Sequence, residues 1–279
     1  MQGIPDKGFT HGGVFHADDV FSTALLTILN PSIVITRGIE LPSDFAGIVF
    51  DVGGGPFDHH GSCRKERPNG IPYAAFGLLW KQYGTLLLEA EDAEAFDASF
   101  IQPLDDADNG GKPCALAQLV SDFNPEPTGG LVAYDEAFDS AVTWARGVLS
   151  RRLEKVRYAR KSRHLVARCM EKCDGRVLIL SKYVPWKDAV AGSNYELVVY
   201  PSVRGGYNIQ SVPKNGRQNV SPCLFPAEWR GRDAVELRQI SGVSDITFCH
   251  PSGFLSSAES LEGAIRVAHL AMEKAGASL

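Results

Sequence analysis

At 279 residues the chain has room for about two domains of roughly 150 residues each, and 44% hydrophobic with 22% charged residues is the balance of a soluble globular protein. That balance excludes a disordered tail, a collagen-like repeat and a small disulfide scaffold, and no run reaches the ~18–20 uncharged apolar residues that span a bilayer. The net charge of −5 hides a split, because residues 1–140 carry 7 Lys/Arg against 21 Asp/Glu while the rest of the chain is net basic. An acidic half suits cations and a basic half suits an anionic substrate, although solvated surfaces account for the split equally well.

Met1 to Gly8 has no basic region followed by an apolar core, so no secretory signal is expected. Six scattered cysteines without a Cys-x-x-Cys pair fit reduced thiols in a cytoplasmic protein. The first 130 residues alternate short apolar runs with helical patterns, as in a wound α/β sheet. Asp18 to Leu29 reads as a helix closed by Asn30-Pro31, and Ile33 to Thr36 and Gly47 to Val52 read as strands. Pro72 to Tyr83 has helical spacing and stops at Gly84, which is expected as a left-handed cap. Asn124 to Gly130, with two prolines and two glycines, is the clearest loop and a candidate boundary. Ala133 to Cys173 has a single glycine and no proline, and predicts one long arginine-rich helix or two stacked ones. Beyond it, Val177 to Leu180, Glu196 to Tyr200, Tyr207 to Val212 and Ile246 to Cys249 read as strands, followed by an amphipathic helix from Ser257 to Lys274. The expected organisation is a doubly wound, mainly parallel α/β domain over residues 1–132, a helical connector over 133–175, and a smaller α/β domain with a mixed sheet over 176–279.

The chemistry gathers in the first half. Four of the seven histidines lie within the first 60 residues, each near an aspartate. The first cluster, Thr10-His11-Gly12-Gly13-Val14-Phe15-His16-Ala17-Asp18-Asp19, opens the first predicted helix. Asp51 ends the apolar run Ile48-Val49-Phe50, and the carboxyl end of a buried strand is where open α/β sheets place ligands. Phe57-Asp58-His59-His60 follows, and then Asp105-Asp106-Ala107-Asp108-Asn109-Gly110. Each cluster alone is weak, since a lone His-x-Asp is more often a surface pair. Together they supply imidazoles and carboxylates without a thiolate, a donor set that favours Mn²⁺, Mg²⁺, Co²⁺ or Fe²⁺ over structural zinc. The donors are numerous enough for two ions that share one carboxylate and clamp a phosphoryl group.

This order of His…His-x-Asp, a post-strand aspartate, Asp-His-His and Asp-Asn-Gly resembles the Asp-His-His phosphoesterase superfamily. More closely, Thr10-His11-Gly12, Phe15-His16-Ala17-Asp18, Asp51-Val52-Gly53-Gly54, Asp105 to Gly110 and His250-Pro251-Ser252-Gly253-Phe254 resemble the melanocyte-proliferating-gene exonuclease family, over nearly the whole chain. The resemblance implies a two-metal phosphodiesterase, exonuclease-like on RNA or short oligonucleotides, with Mn²⁺ as the preferred ion and Mg²⁺ or Co²⁺ as substitutes. It implies that His11 and His16 hold one metal, that Asp51 bridges to the second, and that Asp18, His59 and Asp108 complete that second site. Asp105 is the alternative last ligand; Asp108 is preferred because a small polar residue follows it. In the wider superfamily the His16 position is usually aspartate, while histidine suits the closer family. His60 is expected to face substrate and protonate the leaving oxygen, its side chain diverging from that of His59 along an extended chain. Asp58 is expected to orient a ligating histidine. In the second half Lys187, Arg217, Arg230 and His250 are the candidates for phosphate contact, and Trp186 and Trp229 are expected in the core rather than stacked on bases.

The competing functions are hydrolysis of a small phosphorylated compound, as by a pyrophosphatase, and a binding protein that keeps the fold with a dead site. The intact donor set argues against the latter. A protease has no motif here, with neither Gly-x-Ser-x-Gly nor His-Glu-x-x-His.

Overall fold

The N-terminal region is organised by a strand that hydrophobicity alone does not reveal. In the computed structural model, which describes residues 3–61, 64–173, 175–213 and 225–276, Lys7–His11 forms strand β1. It holds a single large apolar residue, Phe9, yet it lies at the centre of a parallel three-stranded sheet. Its neighbours are β2 (Val34–Gly38) and β3 (Ile48–Val49), in the order β2-β1-β3. Gly8 permits this position, because a Cβ there would drive into the Ile35 side chain on β2.

Helix α1 (Ala17–Leu29) follows β1 and is buried on nearly every side from Ala17 to Leu26. Asp18 and Asp19 in its first turn complement the helix dipole, and the helix ends as expected at Asn30, which has turned extended. Phe21 anchors it, with ring centroids 5.5 Å from Phe76, 5.7 Å from Phe100 and 6.3 Å from Trp144. Helices α2 (Ala75–Tyr83), α3 (Ala90–Phe96), α4 (Gln102–Asp108) and α5 (Ala115–Ser121) complete this layer, with a π-helical turn at Asp97–Ile101 leading into α4. Gly84 does not adopt the expected left-handed cap: its φ is −58°, and the chain runs on into a 3₁₀ turn to Leu86.

The stretch after Asn124 is shorter as a loop than expected, because a 3₁₀ turn at Pro127–Gly129 runs into α6, a single helix over Gly130–Met170. The chain divides into two compact units, Met1–Arg157 and Tyr158–Leu279, so the division falls inside this helix. Phe138, Ala141, Ala145, Leu149 and Leu153, on one face of α6, pack into the core of the first unit.

The second unit holds a mixed five-stranded sheet in the order β4-β5-β6-β8-β7. Its strands are β4 (Val177–Ile179), β5 (Leu197–Pro201), β6 (Tyr207–Ser211), β7 (Ile246–Cys249) and β8 (Leu255–Ala258); β4 and β5 are parallel and the rest antiparallel. Helix α7 (Ala234–Ser241) begins at Asp233, whose carboxylate accepts the Val235 and Glu236 N–H groups, and stops at Gly242 with φ +71°. The last helix, α8 (Leu261–Gly276), starts four residues later than expected, because Ser257 and Ala258 belong to β8. Ala264, Val267, Ala268 and Ala271 recur at helical spacing on its buried face. Trp186 and Trp229 are both buried in this unit's core. Among the described residues no helix is long and apolar enough to cross a membrane.

Candidate metal centre

His11 is the last residue of β1, and Asp51 lies just beyond β3, so the carboxyl ends of two adjacent parallel strands bring them together. Asp51 has φ +59°, the one described non-glycine residue in the left-handed region. Aspartate tolerates that conformation at a cost of about 1 kcal/mol, and such strain recurs at functional sites. The turn aims both carboxylate oxygens inward. Oδ2 lies 3.1 Å from His11 Nε2 and Oδ1 lies 3.1 Å from His59 Nε2. One carboxylate thus faces two histidines with different oxygens.

His59 Nε2 is the hub of the second group, with Asp18 Oδ2 at 3.4 Å and Asp108 Oδ2 at 3.3 Å besides Asp51. Its other ring nitrogen, Nδ1, lies 3.4 Å from Asn109 Oδ1, whose amide donates in turn to the Asp105 carbonyl at 2.8 Å. That contact fixes the ring so that Nε2 faces the carboxylates.

These donors fit a divalent ion better than they fit each other. Both Asp18 oxygens, Asp51 Oδ1, Asp19 Oδ2 and His59 Nε2 are buried without a hydrogen-bond partner. Buried carboxylates without donors are costly unless paired or bound to metal. Ligands about 2.1 Å from one ion stand roughly 3.0–3.4 Å apart, which is the range of the separations found here. The donor atoms fall into three groups, each within 4.8 Å: Asp51–His59–His60, His11–Asp19–Asp51 and His16–Asp18–Asp108. Motif order pairs His11 with His16, whereas the donor atoms group His16 with Asp18 and Asp108.

The electrostatics carry the mark of crowded charge. Hydrogen bonding to Asp51 raises His11 to about 9 against the opposing effect of burial. Burial opposes protonation of His59 too, but the Asp18 and Asp51 carboxylates outweigh it and raise this histidine to about 11. Burial pushes Asp19 well up, with Asp18 adding to the rise, and burial together with Asp18 does the same to Asp108. Burial works against ionisation of Asp51, yet the two histidines hold its carboxyl far below the usual range.

Asp105 stands apart from this cluster. It is fully buried, accepts Arg67 Nη2 at 2.7 Å and the Gly77 N–H at 3.2 Å, and a Cβ at Gly77 would collide with its carboxylate. One turn later on α4, Asp108 faces His59 instead.

His59 and His60 do not diverge as an extended chain would make them. Their ring centroids are 4.3 Å apart, because the Asp58 carboxylate accepts the Gly54 N–H at 2.7 Å and the His60 N–H at 3.0 Å and turns the chain. Asp58 also lies 3.0 Å from His60 Nδ1, so the histidine it contacts is His60, a member of the Asp51–His59–His60 donor group. Burial opposes ionisation of Asp58, but those donors hold its carboxyl below the usual range. His60 itself is 62% exposed on its side chain, and its Nδ1 lies 3.5 Å from Asp51 Oδ1 as well.

Residues that the sequence did not single out hold the loop between β1 and α1. Asn124 clamps Phe15, accepting its N–H at 3.1 Å and donating to its carbonyl at 2.9 Å. Arg37 on β2 donates to the Gly13 carbonyl at 2.8 Å and pairs with Asp135 at 2.6 Å, its guanidinium over the Phe138 ring. Asp19, part of the first donor cluster but given no role in the sequence reading, holds the same loop by accepting the His16 N–H at 2.9 Å.

In the second unit, Arg230 Nε donates to the Phe225 carbonyl at 3.0 Å. His250 Nδ1 accepts the Ser252 N–H at 3.0 Å, and the Gly231 N–H reaches the Cys249 carbonyl, setting the Arg230 and His250 segments side by side. Lys187 is half-buried, and Arg217 lies outside the described residues.

Comparison with known proteins adds an independent line. The MYG1 exonuclease model, described as an uncharacterised protein family (UPF0160), matches residues 8–272. The MYG1 protein of Dictyostelium discoideum is 27% identical, over 93% of this chain and 94% of the relative. That of Chlamydia muridarum is 27% identical over 98% and 99%, and the MYG1 exonuclease of Rattus norvegicus is 28% identical over 95% and 84%.

Proposed function

This chain belongs to the MYG1 exonuclease family, and on that premise we propose that it is a two-metal phosphodiesterase that trims RNA or short oligonucleotides. The observation that carries the reading is Asp51, whose two oxygens face His11 and His59 separately within a cluster of buried, partnerless carboxylates. In this reading His11, His16, Asp18, Asp51, His59 and Asp108 hold the ions, with manganese preferred and magnesium or cobalt able to substitute. The parent fold is the doubly wound domain of the Asp-His-His phosphoesterases, and the free thiols of Cys114, Cys169 and Cys173 suit a reducing cytoplasm.

Bound divalent ions supply Lewis-acid activation of water and neutralise charge on the phosphoryl oxygens. The chain's own residues supply position and proton transfer. Asp51 holds its two oxygens in place through the strained turn after β3, and Asn109 fixes the His59 ring so that Nε2 faces inward. His60 is suited to the proton transfer: Asp58 binds Nδ1 and orients the exposed ring, so that Nε2 can donate to the leaving oxygen. Lys187, Arg217, Arg230 and His250 are the proposed phosphate contacts of the second unit.

The test is turnover by chelator-stripped protein, with and without added manganese, on short RNA, a nitrophenyl phosphodiester and pyrophosphate. Metal-dependent release of mononucleotides supports the reading. Turnover of pyrophosphate alone would make the protein a small-molecule phosphohydrolase, and no turnover of any substrate would make it a binding protein. His60→Ala should keep its metals and slow RNA hydrolysis by about 10²–10⁴-fold, with a smaller loss on the nitrophenyl ester, whose leaving group needs no proton.

A further inference from the structure

Asp19 has no part in that ligand set, yet it is as buried as any donor in the centre. Its two oxygens differ. Oδ1 accepts the backbone N–H groups of His16 and Val20, both at 2.9 Å, and so closes the first turn of α1. Oδ2 is buried and has no hydrogen-bond partner. It lies 3.4 Å from His11 Nε2, the nitrogen that has Asp51 Oδ2 at 3.1 Å. Helix capping explains Oδ1 and leaves Oδ2 unexplained. A carboxylate oxygen sealed from water beside a histidine and a second carboxylate is what an oxygen-seeking cation requires.

We propose that Asp19 Oδ2 is a direct ligand of the ion held by His11 and Asp51, so that this ion is bound by a buried His-Asp-Asp set. The inference rests on the metal-centre reading above and changes its membership. Separations of 3.1 and 3.4 Å from a common nitrogen are those of neighbouring ligands about one ion, roughly 3.0–3.4 Å. His16, which motif order assigns to this ion, is exposed, its ring centroid is 6.4 Å from that of His11, and its donors group with Asp18 and Asp108. It stands at the rim on the side of the second ion.

Asp19→Asn separates the two roles of the side chain. The amide oxygen can still accept from His16 and Val20, so the cap survives, while the amide nitrogen in place of Oδ2 cannot bind a cation. Manganese titration of the chelator-stripped chain by calorimetry should show two sites in the unmodified protein. In Asp19→Asn one site should persist and the other weaken by more than about 100-fold, beyond the usual effect of an outer-shell partner. The visible absorption of the cobalt-loaded variant should change at that site. Two sites of unchanged affinity in the variant would overturn this inference alone and leave the metal centre standing. A loss of about 10–100-fold with an unchanged cobalt spectrum would make Asp19 a positioning residue acting through His11, and would overturn the ligand assignment. Absence of manganese binding by the unmodified chain would overturn the metal centre itself, and this inference with it. Anomalous diffraction from a manganese-loaded crystal of the unmodified chain needs no variant. An ion about 2.2 Å from Asp19 Oδ2 supports the proposal, and one beyond about 3 Å overturns it.

Discussion

Replacing Arg67 with methionine tests how the helix that carries Asp108 is held. The Arg67 guanidinium is buried over the Tyr73 ring, donates to both oxygens of Asp97 at 2.8 and 2.7 Å, and reaches Asp105 at 2.7 Å and the Pro72 carbonyl at 3.0 Å. Methionine keeps much of the packing volume and removes the charge. Breaking a buried ion pair by deleting one partner costs about 3–5 kcal/mol; because Asp105 is already largely protonated at pH 6 and the charge left behind is that of the partly exposed Asp97, we expect about 3 kcal/mol at that pH. The cost should then depend on pH in a defined direction. Burial raises the Asp105 carboxyl from 3.8 to about 7, and Arg67 keeps it from rising further. In the unmodified chain the folded state therefore holds an extra proton between pH ~4 and ~7; stability falls across that window and levels off above it. Without Arg67 the carboxyl rises beyond 7, and the fall continues at up to ~1.4 kcal/mol per pH unit. The gap between the two proteins should be nearly constant from pH 5 to 6, wider by about 0.4 kcal/mol at pH 7 and by about a further 1 kcal/mol at pH 8. Urea denaturation of the metal-free proteins, followed by tryptophan fluorescence and circular dichroism at pH 6, 7 and 8, measures it. A gap that narrows above pH 7 would refute the reasoning, because Asp105 would then not be the group that Arg67 compensates.

Asp51→Gly and Asp51→Ala should both abolish metal binding, but only alanine keeps the left-handed strain, so the glycine variant should be about 1 kcal/mol the more stable of the two in the same urea assay of metal-free protein; equal midpoints would show that the turn carries no strain. Manganese loading near pH 7 should release more than one proton per chain to an indicator dye, because His11 and His59 titrate at about 9 and 11 in the metal-free protein. Loading without proton release would mean that these histidines are not displaced onto metal. Asn124→Ala should cost about 1–3 kcal/mol by leaving both backbone groups of Phe15 without their clamp, and an unchanged urea midpoint would make the clamp incidental.

The donor loops were legible because their residue types have one common chemistry and because Asp51 follows an apolar run that reads as a strand. The helices expected over Asp18–Leu29 and Ala133–Cys173 were legible, the first from its stop at Asn30-Pro31 and the second from a run without proline, which left one helix or two open; the structure has Ala17–Leu29 and a single Gly130–Met170. Central strand β1 was not, since Lys7-Gly8-Phe9-Thr10-His11 lacks the apolar run of a buried strand and owes its place to pairing on both edges. Arg67, Arg37 and Asn124 act through partners about 30 to 110 residues away in sequence, and no local pattern marks such residues. Asp105 and Asp108 look alike in sequence; the structure separates them because one turn of α4 points the first at Arg67 and the second at His59. The late start of α8 reflects Ser256 and Ser257 pairing with β6, where tertiary pairing overrode an amphipathic pattern.

The account turns on one carboxylate shared between two ions. Native mass spectrometry of the manganese-loaded chain and of Asp51→Asn, both desalted under identical conditions, measures this most directly. Two ions are expected on the unmodified protein and loss of both from the variant, because Asp51 is the carboxylate that the His11 and His59 sides share. A single ion on the unmodified protein, or two ions retained by Asp51→Asn, would contradict it.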